Sequence, residues 1–333
     1  MLVSILMPAY NASKYIGDAI ESVIRQSYSN WELIIVDDLS SDNTFIIASK
    51  YAKKDRRIKS LQLLENSGSA QKPRLIAEQV SKGDFVCLLD ADDIIDEHYI
   101  KRLVIRQKET NADIVLGRIC GLTEGGEKLS VWNPVESISL DCIMTGKEAF
   151  SHTIGSWDIG GLGLFSREIV DKARTKISWS HHFMNADEIY TRLKMLSSES
   201  VAFAYADYYY RYNSESITKR LSIKAFDSLE TGCIINSITE KYFGSNSYEY
   251  YKSTKSLFDT IYGLSVIYQN NINSFTTTER KDILNRIKHA WDELSFLPLF
   301  RFSISCAIKY CFGIDILFVL IKLRNHVKRK YSI

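Results

Sequence analysis

Over its first 117 residues the chain alternates short, continuously apolar runs with longer stretches in which apolar residues recur every three or four positions. Runs of strand length at 2–7, 31–36 and 85–89 predict strands buried on both faces, because an exposed face would show polar alternation. Residues 58–64 and 113–116 add two more. Between them, Ile16, Ala19, Ile20, Val23 and Ile24 mark one face of a helix opened by Ser13, and Phe45, Ile46, Ala48 and Ala52 mark another opened by Asp42. A third helix is expected over residues 70–80. Strands separated by helices imply right-handed crossovers and a mostly parallel sheet flanked by helices. The expected class is α/β, with a Rossmann-like nucleotide-binding half.

Beyond residue 117 the pattern changes. Residues 123–128 are polar and read as a hairpin turn, and the glycine-rich 155–167 segment carries Trp157, a core tryptophan or a sugar platform. Ile189, Leu193 and Leu196 make a helical stripe, and residues 202–212 form an aromatic strand. From residue 220 onward the spacing is helical, with a turn at 246–251. The expected organisation is a domain over 1–219, divided into a nucleotide half (1–117) and an acceptor half (118–219), followed by a helical region over 220–333.

Composition narrows the partners. The 333 residues are 45% hydrophobic and 25% charged, with a formal charge of +2, too small a basic excess for a default nucleic-acid binder. Six cysteines without a C-x-x-C pair read as reduced thiols, and the N-terminus lacks signal-peptide features, so a cytoplasmic location is expected. Residues 301–333 hold seven Lys or Arg and one acidic residue beside the apolar run 311–321. That pairing reads as a peripheral anchor on the inner face of an anionic membrane, or as a core helix with a solvated tail.

The chemistry concentrates at Asp90, Ala91, Asp92 and Asp93, where the 85–89 strand ends in three carboxylates within four residues. Ligands bind at the carboxyl ends of strands in open α/β sheets, and oxygen ligands of this kind suit Mg2+ or Mn2+. The bland reading is an acidic turn before a helix capped by Asp96. After the first strand stands Pro8-Ala9-Tyr10-Asn11 where a dinucleotide-binding protein would carry G-x-G-x-x-G. With Asp37 and Asp38 after the second strand, these loops offer an aromatic face and carboxylates for a nucleobase. Adjacent His181 and His182 lack the i, i+4 spacing of a helical zinc motif.

Taken together, Pro8-Ala9-Tyr10-Asn11, Val36-Asp37-Asp38-x-Ser40-x-Asp42-x-Thr44, Asn66-x-Gly68, Arg74 and Leu89-Asp90-Ala91-Asp92-Asp93 resemble the family 2 glycosyltransferases of the GT-A fold over roughly the first 100 residues. The resemblance implies an inverting, metal-dependent transfer of a sugar from a nucleoside diphosphate, here a UDP-sugar, to a glycan or lipid-linked glycan of a surface polysaccharide. It implies that Pro8, Ala9, Tyr10 and Asn11 line the base pocket, Asp38 reads the base beside Asp37, and Arg74 holds the nucleotide. It places Asp90 and Ala91 at the ribose or donor sugar, Asp92 on the metal, and Arg211 over the diphosphate. The family's Glu-Asp pair corresponds to Ala186-Asp187, which implies Asp187 as general base, with Glu188 as the alternative. A sugar nucleotidyltransferase and a non-catalytic scaffold of a glycan-assembly complex are the competing readings.

Overall fold

The computed structural model of the protein describes residues 1–131, 139, 141–155, 159–176, 185–212, 222–311, 313–314, 316–319 and 321. Trp157, His181, His182 and the basic residues from Lys322 onward lie outside them, as does the expected boundary near 219.

Among the described residues ten strands form one sheet: β1 (Val3–Ala9), β2 (Trp31–Asp37), β3 (Ile58–Gln62), β4 (Phe85–Leu88), β5 (Ile94–Ile95), β6 (Ile114–Leu122), β7 (Lys128–Val131), β8 (Ile143–Met144), β9 (Gly163–Ser166) and β10 (Val201–Arg211). The main path runs β3-β2-β1-β4-β9-β6-β10-β5, with β7 beside β6 and β8 beside β10. Strands β3, β2, β1 and β4 are parallel, and β9 runs against both β4 and β6. Every residue of β1 and β2 is buried, as their unbroken apolar runs require at the centre of a covered sheet. Strand β6 continues through residue 117, so the expected nucleotide and acceptor halves share a strand. Strand β3 stops at Gln62, and Leu64 is fully exposed.

The crossover helices are α1 (Ile16–Ile24), α2 (Thr44–Lys54), α3 (Gln71–Val80) and α4 (Tyr99–Thr110). Helix α1 packs Ile16, Ala19, Ile20 and Val23 into the core beneath β1 and β2. On α2, Ala48 is buried but Ile46 is half exposed, so the stripe there is narrower than the spacing suggested. Residues 123–127 close the β6–β7 hairpin, with Thr123 N–H donating to the Glu127 carbonyl at 2.8 Å. Helices α5 (Gly146–Ser151), α6 (Arg167–Arg174) and α7 (Ala186–Ser197) complete this part.

The chain divides into two compact units: Met1–Thr153 with Trp157–His182 and Ala186–Lys219, and Arg220–Ile333 with Ile154–Ser156 and Phe183–Asn185. In the second, α8 (Asp227–Phe243), α9 (Tyr248–Asn270), α10 (Thr277–Asp292), α11 (Phe296–Phe302) and α12 (Ile304–Cys311) enclose a core around Phe226, Phe258, Ile261, Ile287 and Trp291. The turn expected at 246–251 is shorter: Ser247 caps α9, accepting from Tyr250 N–H at 3.1 Å, so Tyr248–Tyr251 are already helical. Leu317, Phe318 and Ile321 are buried in this same core. These three residues follow the core-helix alternative for the run, while Ile316 and Val319 stay exposed. Among the described residues no helix is long and apolar enough to cross a membrane.

Candidate active site

The carboxyl ends of β1, β2 and β4 lie side by side, so the turns that follow them meet at one edge of the sheet. The first two turns are stitched together. Asn11 N–H donates to Ser40 Oγ at 2.9 Å, Asn11 Oδ1 accepts from Ser41 N–H at 2.9 Å, and Ala12 N–H donates to Thr44 Oγ1 at 2.8 Å. Asp42 accepts from both Thr44 N–H (2.9 Å) and Ser13 N–H (3.0 Å). Ser13 therefore donates its N–H to the neighbouring turn, and the N-cap of α1 is Tyr15 instead. Asn11 and Leu39 both adopt positive φ, 47° and 57°. For Leu39 that backbone costs about 1–2 kcal/mol, a strain that proteins concentrate at ligand-holding loops.

Within this frame Pro8 and Ala9 end β1, and the Ala9 carbonyl accepts from Asp38 N–H at 2.8 Å. Tyr10 projects to the surface, 45% exposed. Asp37 is fully buried and holds its own turn, accepting from Ser40 N–H and Gln62 Nε2, both at 2.9 Å. Asp38 accepts from Ser67 N–H at 2.8 Å and Ser67 Oγ at 3.0 Å, which ties the loop before α3 to the end of β2. Ser67 carried no signal of its own in the sequence beyond its place between Asn66 and Gly68.

The three carboxylates after β4 have different fates. Asp93 is buried, accepting from Tyr208 Oη at 2.7 Å and Arg211 N–H at 2.7 Å. Burial, then the charges of Asp92 and Asp90, push its pKa well above the usual carboxylate range. Tyr208 also accepts from Asp90 N–H at 3.1 Å, so one buried phenol fixes both ends of the turn. Arg211, the last residue of β10, is buried and turns its guanidinium to the Asp92 carbonyl (2.7 Å), the Glu124 carbonyl (3.3 Å) and Asp18 (3.4 Å). Asp92 itself is part-exposed beside them. Among the described residues no three His, Cys, Asp or Glu side chains converge on one point, so any cation here would draw on one or two carboxylates.

Arg74, one turn into α3, connects this turn to the far part of the chain. Its guanidinium donates to Asp90 Oδ1 at 3.0 Å and pairs with Asp187 Oδ2 at 2.9 Å. Burial works against its charge, but the two carboxylates more than compensate and raise its pKa. Asp90 and Asp187 keep 34% and 43% of their side-chain surface, so both remain open to solvent while Arg74 is enclosed. Glu188, next in the chain, pairs instead with Arg192 at 3.0 Å on its own helix.

Residues 4–172 match Glycosyl transferase family 2. The chain belongs to that family. It is 36% identical over 116 residues to glycosyltransferase GlyG of Streptococcus pneumoniae serotype 4, covering 35% of this chain and 38% of GlyG. It is 28% identical over 215 residues to a poly(ribitol-phosphate) beta-glucosyltransferase of Bacillus spizizenii, covering 64% of this chain and 32% of that protein. The chain spans about a third of the length of these two curated relatives. The crystal structure of S. aureus TarS 1–349 in complex with UDP-GlcNAc shares the fold, with a TM-score of 0.66 and 19% identity over 93% of this chain and 89% of that one.

In this family 2 glycosyltransferase the matched stretch holds Pro8 to Asn11, Asp37, Asp38, Arg74 and the acidic turn, whereas Asp187 and Arg211 lie beyond it. Their places rest on geometry: Asp187 on Arg74, and Arg211 on Asp92 and Asp93. Tyr208 escaped the sequence reading because a tyrosine inside an aromatic strand looks like any other core residue. Alternation along β10 puts Tyr208 and Tyr210 on one face, which was the one available signal.

Proposed function

We propose that the protein transfers a sugar, with inversion, from a UDP-sugar to a hydroxyl of a cell-surface glycan or lipid-linked glycan. The observation that carries this reading is the Asp90–Arg74–Asp187 chain, which sets a solvent-accessible carboxylate beside the acidic turn at the sheet's ligand edge. Tyr10, Asn11 and Asp38 surround the base, Arg74 holds the nucleotide, and Asp90 meets the ribose or donor sugar. Asp187 takes the proton of the acceptor hydroxyl as its oxygen attacks the anomeric carbon. The bond from that carbon to the diphosphate breaks on the opposite face, and UDP departs. Family membership and the UDP-GlcNAc complex of TarS support the donor class.

The acidic turn fits a divalent cation, since two like charges already press on Asp93 and Mg2+ typically binds one or two carboxylates together with substrate phosphates. Asp92 would hold the Mg2+ or Mn2+, which would supply charge compensation for the leaving diphosphate. A cytoplasmic enzyme resting on an anionic membrane, through exposed Ile316 and Val319 and the basic residues of 322–330, completes the proposal. Flotation with anionic liposomes, lost at high salt, tests that contact.

The central test is release of UDP from UDP-GlcNAc and UDP-glucose, with and without a polyol-phosphate acceptor. Acceptor-stimulated release that requires Asp187 is the expected result. Consumption of a nucleoside triphosphate with a sugar phosphate would overturn the reading in favour of nucleotidyl transfer, and absence of both UDP binding and release would favour a scaffold.

A further inference from the structure

Below the Arg74–Asp187 pair lies a buried polar cluster that the proposed chemistry does not use. Glu78, one turn after Arg74 on α3, is 4% exposed. Its Oε2 accepts from Tyr190 Oη at 2.9 Å and from Arg174 Nη2 at 3.2 Å. Arg167 closes the end of the same helix, donating to the Glu78 carbonyl at 3.3 Å and to Ser81 Oγ at 2.7 Å. Tyr190 stands three residues after Asp187 on α7. Helices α3 and α7 are thus joined by two successive rungs, Arg74–Asp187 above and Glu78–Tyr190 below, and α6 contributes Arg174 to the lower one.

The rungs differ in what they can hold. The upper one keeps both carboxylates open to water, so solvent screens its ion pairs although Arg74 is enclosed. The lower one is enclosed, so its hydrogen bonds act in a low-dielectric setting where misplacement is costly. Replacing such a cluster by apolar side chains would commonly be neutral or stabilising, so stability alone does not account for it. We propose that Tyr190, held by buried Glu78 and its part-exposed partner Arg174, is a positioning residue that fixes where α7 presents Asp187 to Arg74. This rests on the reading of Asp187 as the base.

Two measurements on the full chain test it, using Tyr190→Phe, Asp187→Asn and the double variant. The first needs no turnover: Asp187→Asn is expected to shift the urea midpoint in the native background and to shift it measurably less in the Tyr190→Phe background. Strictly additive shifts would overturn the proposal. The second is UDP release from UDP-GlcNAc and UDP-glucose. Tyr190→Phe should lower kcat about tenfold or more while donor KM stays within about twofold, because a small misplacement of a catalytic group acts on the chemical step. A Tyr190→Phe protein that is less stable yet keeps native kcat shows a core residue and no more. If Tyr190→Phe does not fold, Glu78→Gln, which keeps a side-chain acceptor, is read by the same two criteria. Should the native chain turn over neither donor, the reading of Asp187 as base fails, and the midpoint cycle still decides whether Tyr190 sets its position.

Discussion

Lys194 offers a quantitative check on the electrostatics beneath the site. It follows Tyr190 by one turn on α7, and its Nζ lies 4.1 Å from the Phe165 ring centre and 4.8 Å from that of Tyr190. Burial drives its pKa down from 10.5 to about 8, an effect only partly offset by the charge of Glu78. At about 1.4 kcal/mol per unit, that depression corresponds to about 3 kcal/mol of destabilisation while the ammonium is charged in both folded and unfolded chains. The sign follows from proton binding. Below pH 8 both states hold the proton and the folded state bears the whole cost. Between pH 8 and 10.5 the unfolded chain binds more protons than the folded one, so stability rises with pH across that window. Lys194→Met keeps the length of the stem and removes the charge. The attraction to Glu78 that the variant also lacks exists only while the ammonium is charged and is already contained in the depressed pKa, so the slope with pH is the decisive quantity. Urea unfolding of native and variant proteins at intervals from pH 7 to 10.5 should show the native protein gaining about 2–3 kcal/mol on the variant between the ends of the window. A gap between the two proteins that stays constant over that range would refute this account of Lys194.

Asp92→Asn should weaken UDP binding in Mn2+ while leaving metal-free binding and the unfolding midpoint unchanged, and calorimetry with and without the ion measures this. Asp187→Asn should abolish UDP release yet retain UDP affinity, whereas Glu188→Gln should keep kcat within about threefold and cost about 1 kcal/mol through its pair with Arg192, as a kinetic and urea comparison will show. Phe318→Ala should destabilise the helical unit by about 3–5 kcal/mol, because the ring is buried beside Tyr268, 6.4 Å away between centroids. An unchanged melt of that unit would return Phe318 to the surface.

What the sequence could show of the fold was whatever repeats locally. The unbroken apolar runs of β1, β2 and β4 announced central strands, and once those were parallel their carboxyl ends had to carry the ligand edge. Strand β9 was not legible, because four residues inserted antiparallel between β4 and β6 have no local signature; their place is decided by pairing partners far away in the chain. The acidic turn shows the same limit at the level of single residues. Asp90, Asp92 and Asp93 look alike in sequence, yet Asp93 is drawn inward by Tyr208 and Arg211, which lie more than a hundred residues downstream. Arg211 lies at the end of the aromatic strand that its neighbours predict, but nothing local says where its side chain goes. Its strand pairing with Leu122 is what directs the side chain to the acidic turn.

Two adjacent carboxylates, alike by residue type, are told apart by their contacts. Successive residues on a helix diverge by about 100°, so Asp187 and Glu188 cannot both face α3. Asp187 reaches across to Arg74 and through it to Asp90. Glu188 bends along its own helix to Arg192, and Arg192 is locked by Thr153, donating to its carbonyl at 2.7 Å and its Oγ1 at 2.9 Å. Moving Glu188 into the place of Asp187 would require rotating α7 by more than a quarter turn. That rotation would break the Arg74 and Tyr190 rungs together and strip buried Arg192 of its partners. The same contacts that hold α7 in register therefore leave Asp187 as the one of the pair that shares an arginine with the acidic turn.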